Sequence, residues 1–136
     1  MIQGTVNANL IPVLRIKVYG VAGIHADLDA TPDTGYTGHL TAPPAVVSLL
    51  GLKKMNRGFA ILADGTRVEF DNFAGEIDWD GSRRAIIVSA TGSEVLLGMK
   101  LMQGYELRLE VDVGGKVELR PLPPKPAAVV SIPPAP

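Results

Sequence analysis

The 136 residues include no cysteine. That excludes a disulfide framework, thiolate chemistry and a zinc–thiolate site. Aromatic residues are scarce at 5 %, so a core has to be built from Val, Leu, Ile and Ala. No apolar run is long enough to span a bilayer, because each is broken by Gly, Pro or a charge. The start, Met1-Ile2-Gln3-Gly4-Thr5-Val6-Asn7, lacks the basic and apolar regions of a signal peptide. No basic block stands out from a net charge of −1, so the electrostatic footprint of a nucleic-acid binder is missing. Neither a membrane nor a nucleic acid is expected as a partner, and the expected location is cytoplasmic.

What is present suits a globular fold. Apolar residues make up 46 % against 20 % charged, and the length gives room for one domain with a real core. Leu14, Ile16 and Val18 alternate with Arg15, Lys17 and Tyr19, the period-two pattern of a half-buried strand. Gly20 to Gly23 reads as a loop, followed by a strand over Ile24–Ala30. Three segments read as hairpins with short glycine turns. Asp64-Gly65 joins Phe59–Ala63 to Thr66–Phe70, Asp80-Gly81 joins Ala74–Trp79 to Arg83–Ser89, and Gly114-Gly115 joins Tyr105–Val113 to Lys116–Arg120. Two short helices fit between them. One opens at Pro43-Pro44 and runs over Ala45–Leu50 to Gly51; the other covers about Gly98 to Gln103 and stops at Gly104. The fold class is therefore mainly β. From Pro121 the composition changes: seven of the last sixteen residues are proline. The expected division is a domain over residues 1–120 and a flexible, Pro-rich tail over 121–136.

One triplet carries chemistry. Asp33-Thr34-Gly35 sits in the run Pro32-Asp33-Thr34-Gly35-Tyr36-Thr37-Gly38-His39-Leu40. Such a triplet also makes an ordinary Asx-turn, and it arises by chance in about 2–3 % of chains this long. Its context is more specific. A strand leads into it and a second glycine follows before Leu40, which puts the carboxylate in a tight loop at a strand end. Later, Leu96-Leu97-Gly98 leads into the short helix, and the hairpin tip Ala63-Asp64-Gly65-Thr66 lies between the two in sequence. Taken separately, these are a buried strand entering a helix and an exposed turn.

Together, in the order acid loop, hairpin, apolar-apolar-glycine and closing strand pair, they resemble the retropepsin-like (clan AA) aspartic proteases, and more closely their small single-domain prokaryotic type. The likeness extends over Ile2 to Arg120. It implies a retropepsin-like closed β-barrel or sandwich with one or two short helices, acting as a homodimer. It implies that Asp33, Thr34 and Gly35 are catalytic, that Ala63, Asp64, Gly65 and Thr66 form a flap over the substrate, and that Leu96, Leu97 and Gly98 support the active loop. Two copies of Asp33 would share a proton and activate one water against a peptide carbonyl, with no cofactor and no metal. The partners implied are a second copy and an extended peptide or protein substrate. The closing pair Tyr105–Val113 and Lys116–Arg120 and the N-terminal strand are the candidate interface elements. Two positions depart from the pattern. Pro32 replaces an apolar residue and, having no N–H, is expected to remove one ladder bond from the strand entering the loop. Lys100 falls where an Asp or Asn is frequent.

A catalytically inactive peptide-binding or scaffold protein of the same dimeric fold is the main rival reading. A metal protein is a weaker one. His25, Asp27, Asp29, Asp33 and His39 cluster in sequence, but Asp27-Leu28-Asp29 is followed by Thr31 and Pro32 where a calcium loop needs a ligand and a glycine. No Gly-x-Ser-x-Gly elbow and no phosphate loop are present.

Overall fold

The computed structural model describes residues 1–135. Ten strands form one sheet with two short helices at its margins. They are β1 (Ile2–Val6), β2 (Pro12–Tyr19), β3 (His25–Pro32), β4 (Leu40–Ala42), α1 (Pro44–Leu50), β5 (Lys53–Ile61), β6 (Arg67–Trp79), β7 (Ser82–Ala90), β8 (Leu96–Leu97), α2 (Met99–Met102), β9 (Tyr105–Leu109) and β10 (Lys116–Pro121). Their spatial order is β5-β6-β7-β4-β8-β3-β2-β1-β10-β9. The sheet curls until β6 also meets β2, with Val18 opposite Ile77 and Tyr19 opposite Glu76, so the ring of strands is nearly closed. One edge of β2 is thus divided between β1, at residues 12–14, and β6, at residues 18–19. Among the described residues, no helix is long and apolar enough to cross a membrane.

The alternation in β2 does what its period requires. Leu14, Ile16 and Val18 are buried inside the curl. Leu40, Ile77, Trp79, Ile86, Val88, Leu97, Val117 and Leu119 meet them from the other strands, and Leu101 and Met102 of α2 and Val47 and Leu50 of α1 close the ends. The core is thus almost wholly aliphatic, with Trp79 as its one aromatic member.

The hairpins differ from the sequence expectation in instructive ways. Asp80-Gly81 does form a two-residue turn with both residues left-handed (φ 50° and 89°), the geometry that matches strand twist. Asp64-Gly65 does not. Its connection spans Leu62 to Thr66, closed by the Leu62 N–H to the Thr66 carbonyl at 2.8 Å, and only Gly65 is left-handed. Its strands are also longer than expected, and β6 runs unbroken through both hairpins because it has partners on each side. The third hairpin is shorter on its first arm. β9 stops at Leu109 because residues 110–115 turn away: Gly115 bonds its carbonyl to the Val6 N–H, and Gly114 donates to the Val6 carbonyl, each at 2.9 Å. β1 meanwhile lies between β2 and β10 with both edges used, so it offers no free edge to a partner, whereas the outer edge of β9 is unpaired. Beyond Pro121, residues 122–135 carry no helix or strand and are exposed.

β8 is only two residues long, yet it touches both strands that flank the acid loop. Leu97 is fully buried between them. Replacing it by alanine leaves a cavity that the surrounding strands cannot fill. Leu97→Ala should therefore lose about 3 kcal/mol of unfolding free energy in a chemical denaturation experiment, while Leu109→Ala, on the partly exposed edge strand, should lose well under half of that.

Candidate active site

The loop 33–39 leaves β3 and returns as β4, and β8 sits between these two strands. β3 and β8 run parallel, with Thr31 opposite Leu96 and Pro32 opposite Leu97; β4 and β8 run antiparallel, with Leu40 opposite Leu97. The Thr31 N–H donates to the Val95 carbonyl and the Asp33 N–H to the Leu97 carbonyl, both at 2.9 Å. These alternate residues carry the ladder to β8. The position between them points its nitrogen the other way, toward β2, where pairing with β3 has already ended at Leu14–Ala30. Pro32 therefore deletes no ladder bond, contrary to the sequence expectation. It occupies the one position at the entrance to the loop where a missing donor costs nothing.

The loop is held from behind by α2. A helix leaves its first N–H groups without intrahelical partners, and here the loop supplies the acceptors. Gly98 donates to the His39 carbonyl at 2.9 Å, Met99 to Tyr36 at 2.8 Å and Lys100 to Gly38 at 3.2 Å. The approach is close enough to exclude any side chain at position 98: a Cβ there would stand 1.9 Å from the Gly38 carbonyl oxygen. Thr41 completes the frame, its hydroxyl accepting the Leu96 N–H at 3.0 Å and donating to the Glu94 carbonyl at 3.2 Å.

Within that frame the Asp33 side chain is half-buried, and its Oδ1 accepts the Gly35 N–H at 2.9 Å. No ion pair holds it among the described residues. Thr34 and Gly35 are exposed. Thr34 also lines a cavity of about 350 Å³ with Met99, Met102, Gly104, Tyr105 and Leu107, next to the unpaired edge of β9. The structure thus brings Asp33, Thr34 and Gly35 together with Leu96, Leu97 and Gly98. Ala63, Asp64, Gly65 and Thr66 stand apart from them as an exposed tip. There Asp64 accepts the Thr66 N–H at 2.8 Å, and the Thr66 hydroxyl and N–H hold its carboxyl below the usual range.

Three residues of the site had no sequence signal of their own: Tyr36, Ser89 and Asn72. The Tyr36 ring folds back over the loop into space left by two glycines. A Cβ on Gly38 would meet its hydroxyl at 2.3 Å, and one on Gly98 would meet its ring at 2.7 Å. Its hydroxyl donates to Ser89 Oγ at 3.3 Å, with the Leu40 carbonyl a more distant alternative at 3.5 Å. Burial pushes the phenol above its ordinary value, and the Ser89 bond partly offsets this. Tyr36 is thus a neutral donor at any working pH. The spacing of Gly38 after Tyr36 is the only hint the sequence offered.

His25, Asp27 and Asp29 lie on the exposed side of β3, where Asp29 pairs with Arg15 at 2.9 Å. Among the described residues, no group of three or more His, Cys, Asp or Glu is arranged to hold a metal ion. Lys100, on the exposed side of α2, is tied to the loop only by its backbone.

His39 has a structural task instead. Its Nδ1 accepts the Ile87 N–H at 2.9 Å, extending the β4–β7 pairing by one side chain. Burial, then the charges of Arg84 and Lys100, lower its pKa from the ordinary 6.5. The fold therefore favours the neutral ring, while the unfolded chain takes up a proton more readily. The stability this contributes is complete above about pH 6.5 and is lost as pH falls from there through the lower folded value. Thermal midpoints measured between pH 7.5 and 5 should decline less steeply for His39→Gln than for the parent chain; equal slopes would remove His39 from the account.

Of the comparisons with known proteins, only that with solved structures bears on this architecture. No protein-family model matches the chain, and no curated protein sequence matches it. Among solved structures, a retropepsin-like aspartic protease from Rickettsia conorii superposes with a TM-score of 0.53 at 13 % identity, covering 90 % of this chain and 92 % of that one. The Simian Foamy Virus (mac) protease superposes with a TM-score of 0.43 at 16 % identity, covering 62 % of this chain and 86 % of that one. The Rickettsia conorii superposition gives the chain a distant structural similarity to the retropepsin-like aspartic protease fold.

Proposed function

We propose that this chain is an aspartic endopeptidase that acts as a homodimer, one Asp33 from each copy forming the catalytic pair. The observation that carries the reading is the acid loop itself. Asp33 is held by its own N–H to β8, by Gly35 and, through the loop carbonyls, by α2, yet among the described residues its carboxylate has no ion-pair partner. The chain contains one such loop, so a second carboxylate has to come from a second copy. Thr34 and Gly35 are exposed, and in the proposed dimer the second copy would cover them. The neighbouring cavity and the unpaired edge of β9 give that partner apolar surface and backbone groups to meet. The domain of residues 1–120 would supply the whole catalytic unit, and the tail from Pro121 would lie outside it.

In the dimer, two carboxylates at close range cannot both ionise readily, so they share one proton and titrate as a unit. The ionised one draws a proton from a water held between them. The protonated one donates to the peptide carbonyl, and the tetrahedral species then collapses with the proton passed to the leaving amine. Thr34 would link the two loops across the axis. The tip Ala63–Thr66 would cover an extended peptide and exclude water from it. Neither a metal nor a cofactor enters any step.

Digestion of a peptide library at several pH values tests this directly. Cleavage should appear at mildly acidic pH and fall by about 10³-fold or more in Asp33→Asn, and mass measured in solution at micromolar concentration should be that of a dimer. A chain that binds peptides equally well with and without Asp33→Asn, and cuts none, would be the non-catalytic binding protein instead. A strictly monomeric chain under assay conditions would sink the shared-site model.

A further inference from the structure

The active loop and the long β5–β6 hairpin are joined by a line of hydrogen bonds that all point the same way. The Tyr36 hydroxyl donates to Ser89 Oγ at 3.3 Å, Ser89 donates to Asn72 Oδ1 at 2.7 Å, and Asn72 Nδ2 donates to Asn56 Oδ1 at 3.0 Å. Its two ends fall at informative places. The Tyr36 carbonyl accepts the Met99 N–H and its own N–H donates to the Asp33 carbonyl, so it belongs to the frame of the acid loop. Asn56 lies where the β5–β6 register shifts, between Lys54 and Asn56, the one irregularity in that ladder. A register shift bends and twists its strand. Gly58, two residues on, adds no side chain to stiffen it, and its face is filled by Phe70 from β6: a Cβ there would meet the Phe70 ring at 2.8 Å.

We propose that Tyr36, Ser89 and Asn72 are positioning residues that fix the bend of the flap hairpin, at Asn56, relative to the Asp33 loop. The role for substrate rests on the peptidase reading above; the mechanical coupling does not. Each link supplies the acceptor or donor the next requires. Ser89 is buried, so losing Asn72 leaves the serine hydroxyl without its acceptor, away from bulk water. Backbone pairing also holds β6 to β7 from Asp71 to Trp79, with Asn72 opposite Ser89, but from Phe70 to the tip β6 pairs only with β5. The hairpin's other side chains pair on the opposite, exposed face, where Arg57 lies 3.6 Å from both Glu69 and Asp71, and Arg67 covers the Phe59 ring at 4.0 Å. Exposed pairs of that kind hold a hairpin together but do not orient it against the barrel. The line of hydroxyls and amides therefore ties the base of the hairpin, at Asn56 and Asn72, to the acid loop.

Backbone hydrogen exchange tests the coupling without any need for catalysis. In Ser89→Ala, Asn72→Ala and Tyr36→Phe, the amides of residues 56–58 and 70–72 should exchange about fivefold faster, while those of Ile77 and Val88 in the core keep the parent rate. Ser89→Thr, which retains the hydroxyl, should restore protection. Unchanged exchange in the hairpin of variants whose core amides match the parent would overturn the proposal, as would equal acceleration in Ser89→Thr and Ser89→Ala. Peptide cleavage adds a second readout: a looser flap should raise KM about fivefold with kcat nearly unchanged, and a fall in kcat alone would place the defect in the loop instead. If the parent chain cuts no peptide, the peptidase reading fails and the exchange result still decides the coupling.

Discussion

The structure depends on the contact between the N-terminal amides of α2 and the carbonyls of the acid loop. Three N–H groups, from Gly98, Met99 and Lys100, meet three carbonyls, from His39, Tyr36 and Gly38. A four-residue helix is too short to be stable by itself; it persists because its unsatisfied donors are spent on the loop and its apolar side, Leu101 and Met102, is buried. The loop in turn has no regular structure to hold it, and without those donors its carbonyls would face an apolar interior unpaired. Each element makes the other possible. The contact is available only because position 98 has no Cβ, since the Gly38 carbonyl occupies that space.

From that contact the constraints run outward. β8 must lie between β3 and β4 to deliver Gly98 to the loop, which forces one parallel and one antiparallel pairing on a strand of two residues. Thr41 and His39 then satisfy backbone groups that so short a strand cannot reach, Leu96 by the threonine hydroxyl and Ile87 by the imidazole. The parallel pairing of β7 on β4, with Ser89 opposite Thr41, and the pairing of β6 on β7, with Asn72 opposite Ser89, place both residues where the Tyr36 hydroxyl can find them. A loop with a single carboxylate is thus held in place from behind, and the β5–β6 hairpin is hydrogen-bonded to the same loop through Tyr36.

Much of this was legible in the residues. The alternation of Leu14, Ile16 and Val18, the turn at Asp80-Gly81, both short helices and the order of acid loop and Leu96-Leu97-Gly98 all express local rules: side-chain period, positive-φ preference and helix punctuation. The failures are equally specific. The hairpin arm expected over Tyr105–Val113 ended at Leu109, because residues 110–115 close into a turn whose Gly114 and Gly115 bond to Val6 of β1, some hundred residues away in the chain. Pro32 was expected to weaken the strand it ends; only the parity of the neighbouring donors, fixed by pairing with β8, shows that it removes nothing. Tyr36, Ser89 and Asn72 could not be grouped in advance, because single polar residues on three separate elements carry no periodicity and no spacing rule.

By itself, then, the sequence determined the alternation of β2, the Asp80-Gly81 turn, the two short helices and the kind of loop in which Asp33 stands, since each is set by residues within a few positions of one another. Tertiary structure alone decided which donors hold that loop, why a proline is harmless before it, and how the hairpin is tied to it. Those outcomes depend on strand register and on the exclusion of a single Cβ, quantities that exist only after distant segments have been brought into contact.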